Sequence, residues 1–420
     1  MCTTLAPLCT IVHMTLDADA LPAAGPASAT VRRARNGDLL VFAVNGFAFA
    51  SWMSRVPDVR EMLLLTPGQL SLLLLAVSAG ALCGLPLAGL VTHRLGATRA
   101  VRFGMALALP GLVLAAGCVD ARLPLVWVMP GLFLLGLGTG VWDVAQNLEG
   151  TIIEQSLGRA IMPWFHAAFS AGTVLAALIG ALMVWWQVPI SLHIGVVVAL
   201  TAAVVLWGTA QFLPAFEESP DSPSVRVRPA RSAWTEPRTL LIGVMVLAAA
   251  FTEGTANDWL AVAFVDGHQL DKALGVVALA VFLSFMTAGR ILGTGLLDRF
   301  GRVPVLRVLF GSAIAGCLLV VFGSAWVAFV GAAIWGIGAS LGFPVGMSAA
   351  ADDPARAHAR LSVVSTIGYT AFLAGPPLLG FLGDHFGILR SLTVVGAVSL
   401  LALLVIPAAR PLPSALGQPT

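Results

Sequence analysis

The chain has 420 residues, of which 58% are hydrophobic and 10% charged, with a mean hydropathy of +0.92. Soluble proteins carry about 25% charged residues, so a conventional water-soluble enzyme is excluded, and the apolar content equally excludes a disordered chain. A net charge of +2 offers no basic field for nucleic acid. The five cysteines, Cys2, Cys9, Cys83, Cys118 and Cys317, contain no C-x-x-C pair and suggest neither a disulfide framework nor a zinc site.

A membrane crossing needs about 20 mainly apolar residues. In chain order such runs fall near 39–57, 69–92, 100–118, 123–147, 160–186 and 190–212, then near 240–265, 273–297, 303–322, 325–348, 361–383 and 389–409. They are spans 1 to 12. Bilayer hydrocarbon offers no partner to an open strand, so the predicted fold class is an all-α integral membrane protein of twelve transmembrane helices in two pseudo-symmetric six-helix bundles. Residues 1–37 read as a flexible cytoplasmic tail, 38–213 as the first bundle and 239–410 as the second. Residues 214–238, rich in Pro, Ser and both charge signs, read as a cytoplasmic linker, and 411–420 as a tail. Seventeen basic residues fall on the side of the termini and linker, and five on the other. Arg290 lies inside span 8. The positive-inside bias therefore predicts cytoplasmic termini.

The two halves resemble each other. Arg94-Leu-Gly96 matches Arg299-Phe-Gly301 at an offset of 205, and Gly136-Leu-Gly138 matches Gly336-Ile-Gly338 at 200. The stretch from His166 to Gly172 matches that from Tyr369 to Gly375 at 203, and Asn45-Gly46 with Trp52 resembles Glu253-Gly254 with Trp259 near 208. Four matches in one order point to a duplicated six-helix unit, the layout of transporters with parallel halves around a midplane site. Gly89-x-x-x-His93-Arg94-x-Gly96-x-x-Arg99 and Asp298-Arg299-Phe300-Gly301-Arg302 resemble the two copies of the loop signature of the major facilitator superfamily. Gly380-x-x-x-Asp384-x-x-Gly387 is a weaker third copy. The stretches NGFAFASWMSRVP, GLGTGVWDVAQN, FHAAFSAG and EGTANDW resemble the bacterial YbjJ-like permease group, near the fucose-permease branch.

That resemblance implies rocker-switch transport with spans 1, 4, 7 and 10 lining the cavity. It implies a conformational latch at Gly89, His93, Arg94, Gly96, Arg99, Asp298, Arg299, Gly301 and Arg302. His93 stands where the family usually has Asp, which puts the first-half latch in doubt.

Ionisable groups at membrane depth face a cavity or a partner. Asp143 and Asn147 share one helical face, a spacing repeated by Glu253 and Asn257 with Asp258 alongside. These residues are candidates for proton coupling or solute binding, with His166, Asn45, Trp52, Trp259 and Tyr369. Each also has a packing reading. No Walker A motif occurs, since Lys272 is the only lysine.

The expectation is a secondary active transporter of the bacterial inner membrane rather than an enzyme. It is expected to work as a monomer without cofactor or metal, taking up a sugar-like or other polar metabolite together with protons. A proton-driven exporter of drugs or metabolites is the alternative, although span 5 lacks the Gly-Pro signature of such antiporters. A solute sensor that moves nothing is the third reading, and no signalling domain accompanies it.

Overall fold

The computed structural model describes residues 29–157, 161–213, 230–353 and 356–412. In the first half α1 (Ala29–Met53) is followed by a short α2 (Val56–Met62), α3 (Pro67–Asp120), α4 (Leu125–Leu157), α5 (Met162–Trp185) and α6 (Ile190–Thr209). The second half holds α7 (Pro237–His268), α8 (Lys272–Phe300), α9 (Arg302–Phe322), α10 (Ala325–Ala339), α11 (Gly342–Ala350), α12 (Ala357–Phe386), α13 (Ile388–Ser391) and α14 (Thr393–Val405).

Among the described residues, eleven apolar helical stretches are long enough to cross a membrane. One of them, α3, has 54 residues, which at 1.5 Å per residue is far longer than a bilayer core of about 30 Å. Gly96 breaks it with φ 74° and ψ 168°, so it makes spans 2 and 3. Span 1 is α1 with α2, span 10 is α10 with α11, span 11 is α12, and span 12 is α13 with α14. Spans 4 to 9 correspond to α4 to α9. This is the all-α, twelve-span architecture read from hydropathy.

Two boundaries differ from that reading. α1 begins at Ala29, so residues 29–37, expected in the tail, are helical, and residues 1–28 lie outside the described part. Of the predicted linker, 214–229 lies outside the described residues, 230–235 forms a 3-10 turn, and α7 begins at Pro237. Of the C-terminal tail, 413–420 lies outside them too. Hydropathy misses such ends because polar residues continue a helix for a turn or more beyond the apolar run.

Helix starts are fixed by local chemistry. Thr66 and Gln69 form a reciprocal capping box ahead of α3, at 3.2 and 3.0 Å. The Asp120 carboxylate accepts the N–H groups of Ile190 and Ser191 at the start of α6. Glu154 does the same for Ile161 and Met162 at the start of α5.

Within the first half α1 packs on α5 and α6, and α3 on α4 and α6. Within the second, α7 packs on α8, α12 and α14, and α9 on α10 and α14. The halves meet where α5 packs on α8 and α3 on α12. The repeat extends to packing detail. A Cβ on Gly111 would lie 2.5 Å from the Gly131 carbonyl oxygen, and one on Gly316 would lie 2.6 Å from that of Gly331. In each half only glycine lets spans 3 and 4, or 9 and 10, approach so closely. Gly96, Gly301 and Gly387, which close the three copies of the loop motif, share φ between 74° and 79°. Side chains rarely tolerate that backbone, which explains the glycine in every copy.

Candidate functional site

Asp143 lies midway along α4, half-buried, and its Oδ1 accepts a hydrogen bond from Gln146 Nε2 at 3.0 Å. Asn147 Nδ2, one turn on, donates to the Asp143 backbone oxygen at 2.8 Å and reaches its carboxylate at 3.4 Å. The acid and amide that share a face in the sequence thus touch, and Gln146, which the spacing did not single out, completes the set. Tyr369 on α12, half-buried between Phe343 and Phe372, lies within electrostatic reach of Asp143 across the two halves.

The matching pattern on α7 behaves differently. Glu253 turns to α8 and accepts both of its hydrogen bonds from Arg290 Nη2, each at 2.8 Å. This supplies the partner of Arg290, which the sequence could not name. Arg290 Nε also reaches the Ser340 carbonyl at 3.2 Å, and both members of the pair keep partial exposure, 28% and 20%. Asn257 and Asp258 are half-buried on the same helix. Asp258 borders a narrow cleft with Phe251, Phe372 and Pro376. His166 is exposed at the start of α5, edge-on to Phe42 at 5.6 Å, and close enough to Arg290 to feel its charge.

Three further candidate residues are deeply buried. Trp52 and Trp259 are each 1% exposed and belong to the largest core cluster, and Asn45 is 2% exposed. In this conformation they lie in the interior, and Trp259 borders the same narrow cleft as Asp258. Their helices turn these faces toward neighbouring helices, which spacing alone could not reveal. Two acids escaped the sequence reading because they sit near predicted helix ends. Asp38 is fully buried with neither carboxylate oxygen bonded, and Glu149 is buried and accepts the Leu213 N–H at 2.7 Å.

The loop residues divide in the same way. His93, Arg94, Arg99, Asp298 and Arg299 are exposed, Gly89 faces open space, and Arg299 lies over the Phe300 ring. Arg302 instead binds Asp352 at 2.7 Å and Ser348 at 3.0 Å, within its own half. The copy of the motif that does join the halves is the third. Asp384 accepts the Gly68 N–H at 3.1 Å, at the start of α3, where a carboxylate complements the helix dipole.

Other groups at that end, remote from the termini, complete a clasp. Lys272 reaches Asp58 at 2.9 Å and Glu61 at 3.2 Å, and Arg60 pairs with Asp266. Arg55, buried behind them, binds Asp58 at 3.0 Å and the Val188 carbonyl. Cavities of about 600 and 920 Å³ flank the clasp. At the opposite end the ion pairs of Arg238, Arg302, Arg356 and Arg360 with Glu236, Asp352 and Asp353 join parts of the second half. The signal in the sequence was a lone lysine facing acids across two short loops. Among the described residues no cluster suited to a metal ion occurs.

The sequence profile of the Major Facilitator Superfamily matches residues 39–359 and, in a second match, 279–418. An uncharacterised MFS-type transporter of Yersinia pestis is 31% identical over 88% of this chain and 94% of its own length. Among solved structures, the nucleoside transporter NupG superposes with a TM-score of 0.70 at 14% identity, covering 91% of this chain and 99% of that one. FucP, the E. coli fucose:proton symporter, superposes in its outward conformation with a TM-score of 0.63 at 16% identity, covering 89% and 98%.

Proposed function

The chain belongs to the Major Facilitator Superfamily and is a multi-pass membrane transporter rather than an enzyme, and on that footing we propose proton-coupled uptake of a small polar solute by alternating access. The moving bodies are residues 38–213 and 239–410, joined by 214–238. Asp143 takes up and releases the proton. Asn147, Gln146, Asn257 and Tyr369 hydrogen-bond the solute, and the Glu253–Arg290 pair holds it from the second half.

The observation that carries this reading is the setting of Asp143. It is a carboxyl midway along a span, held by two amides. A membrane carboxyl with neutral partners can gain and lose a proton without breaking an ion pair, and a solute lodged between the halves senses its charge. The name of FucP as a fucose:proton symporter supports the same chemistry. The clasp of Asp58, Arg60, Asp266, Lys272 and Asp384 is the seal that must part when the cavity opens at that end. The basic-residue bias supports cytoplasmic termini in a bacterial inner membrane, with the clasp on the outer face.

The test is flux into proteoliposomes under an imposed pH gradient, across sugars, polyols, nucleosides, sugar acids and lipophilic cations. Accumulation of a polar solute that follows the inward proton gradient and fails in Asp143→Asn is the expected result. Expulsion of lipophilic cations by the same gradient, or accumulation indifferent to that substitution, overturns the reading.

A further inference from the structure

Arg290 lies inside α8 (Lys272–Phe300) rather than at either of its ends. A cation there is costly and is kept where it has work to do. Glu253 accounts for its charge but not for its hydrogen bonds. Both Glu253 oxygens sit on Nη2, Nε reaches Ser340, and Nη1 has no bond among those described. Arginine–carboxylate pairs frequently use the two-nitrogen fork edge. Here Glu253 occupies one nitrogen, leaving two N–H donors on a side chain that is 28% exposed.

We propose that the transported solute carries a carboxylate and that this group docks on the open Nη1 of Arg290 beside Glu253. The inference rests on the transport reading above and specifies its substrate class. A guanidinium nitrogen donating to a solute carboxylate makes a charge-assisted hydrogen bond, which gives orientation as well as affinity. The surrounding charge limits the solute. Glu253 already places one negative charge on this arginine, so a singly charged acid is accommodated where a phosphate dianion is repelled. Asn147 and Asn257 then read hydroxyls on the rest of the molecule, as a hydroxylated monocarboxylate presents them.

The test uses matched probes on the purified full-length chain: D-gluconate against D-sorbitol, and D-glucuronate against D-glucose. Thermal shift reads binding at about 10 mM probe, since a ligand that prefers the folded state raises its melting temperature. The expected result is a shift with the acids and none with their neutral counterparts. Arg290→Gln alone strands Glu253, so the decisive variant is Arg290→Gln with Glu253→Gln, which keeps charge balance. In it the acid-specific shift disappears, with binding at least about tenfold weaker, the scale of one lost charge-assisted bond. Equal shifts with neutral probes, no shift with either acid, or undiminished acid binding by the double variant overturns the proposal. Flux separates it from the reading beneath: a neutral probe that is carried keeps transport and removes the carboxylate, whereas an acid that binds through Arg290 and is never carried keeps the docking and removes transport.

Discussion

The two halves carry the same short pattern, an acid followed four residues later by an asparagine, and give it opposite surroundings. In the first half Asp143 stays within its own helix and takes hydrogen bonds from Gln146 and Asn147. In the second half Glu253 ignores Asn257 and reaches Arg290 on the next helix. An i, i+4 spacing makes a local contact available at low cost, but a cation on a neighbouring helix outbids an amide on the same one. A carboxylate held by amides keeps no ion pair, whereas one held by arginine does. The duplication thus supplies two copies, and one basic residue without a counterpart makes them different.

The sharpest way to break the comparison is to neutralise both acids in turn. Asp143→Asn is expected to reduce proton-driven uptake by about 100-fold, the low end of what a proton-transferring group contributes, with little change in melting temperature. Glu253→Gln is expected to leave pH-driven transport measurable. Equal losses in the two variants would show that the acids share one role.

Removing the cation tests the second half directly. Arg290→Gln leaves Glu253 without its partner and is expected to destabilise the protein by about 2 kcal/mol, less than for a fully buried pair because both side chains keep some exposure. Adding Glu253→Gln should recover most of that loss in a double-mutant cycle. Failure to recover would mean that the pair is not the source of the cost.

A smaller effect is expected from the clasp, where charges join the halves. Lys272→Ala removes two contacts between the halves, with Asp58 and Glu61. Partly exposed pairs of this kind are worth about 0.2–1 kcal/mol each, so the population open at that end should rise by roughly fivefold. Distances between spin labels on the two halves would register it, and an unchanged distribution would show that Lys272 does not hold the seal.

The smallest effect concerns Glu236, ahead of α7. Burial pushes its carboxyl up, but hydrogen bonds from Arg360 and Thr239 and the charges of Arg360 and Arg356 outweigh it and hold the group below the usual glutamate range. Its contribution is therefore present above the unfolded value and lost as pH falls through the lower folded one. Solvent screening keeps it to about 0.5 kcal/mol or less. Glu236→Gln should flatten that acid limb in thermal unfolding measured from pH 5 downward, and an identical limb in the variant would assign it to other carboxyls.

Much of the fold was legible because its signals are local. Hydropathy located the spans, and the loop motifs carried Gly96, Gly301 and Gly387, which take positive φ in the structure. The candidate site was only partly legible. Asp143 with Asn147 could be read because both lie on one turn of one helix. The partner of Arg290 lies 37 positions away on another helix, and the contact of Asp384 with Gly68 spans 316 positions.

What the sequence determined by itself is a duplicated, twelve-span helical membrane protein of this superfamily, since apolar runs, glycine backbone freedom and motif spacing belong to the chain wherever it goes. Only the tertiary structure decided that Trp52, Trp259 and Asn45 turn inward, that Glu253 serves Arg290, and that Asp384, not the first two motif copies, joins the halves. Each of these depends on how a helix is rotated about its own axis and which neighbour it meets. In a chain this apolar, many rotations satisfy hydropathy equally. The choice falls to close glycine crossings and to the few charges that must find one another.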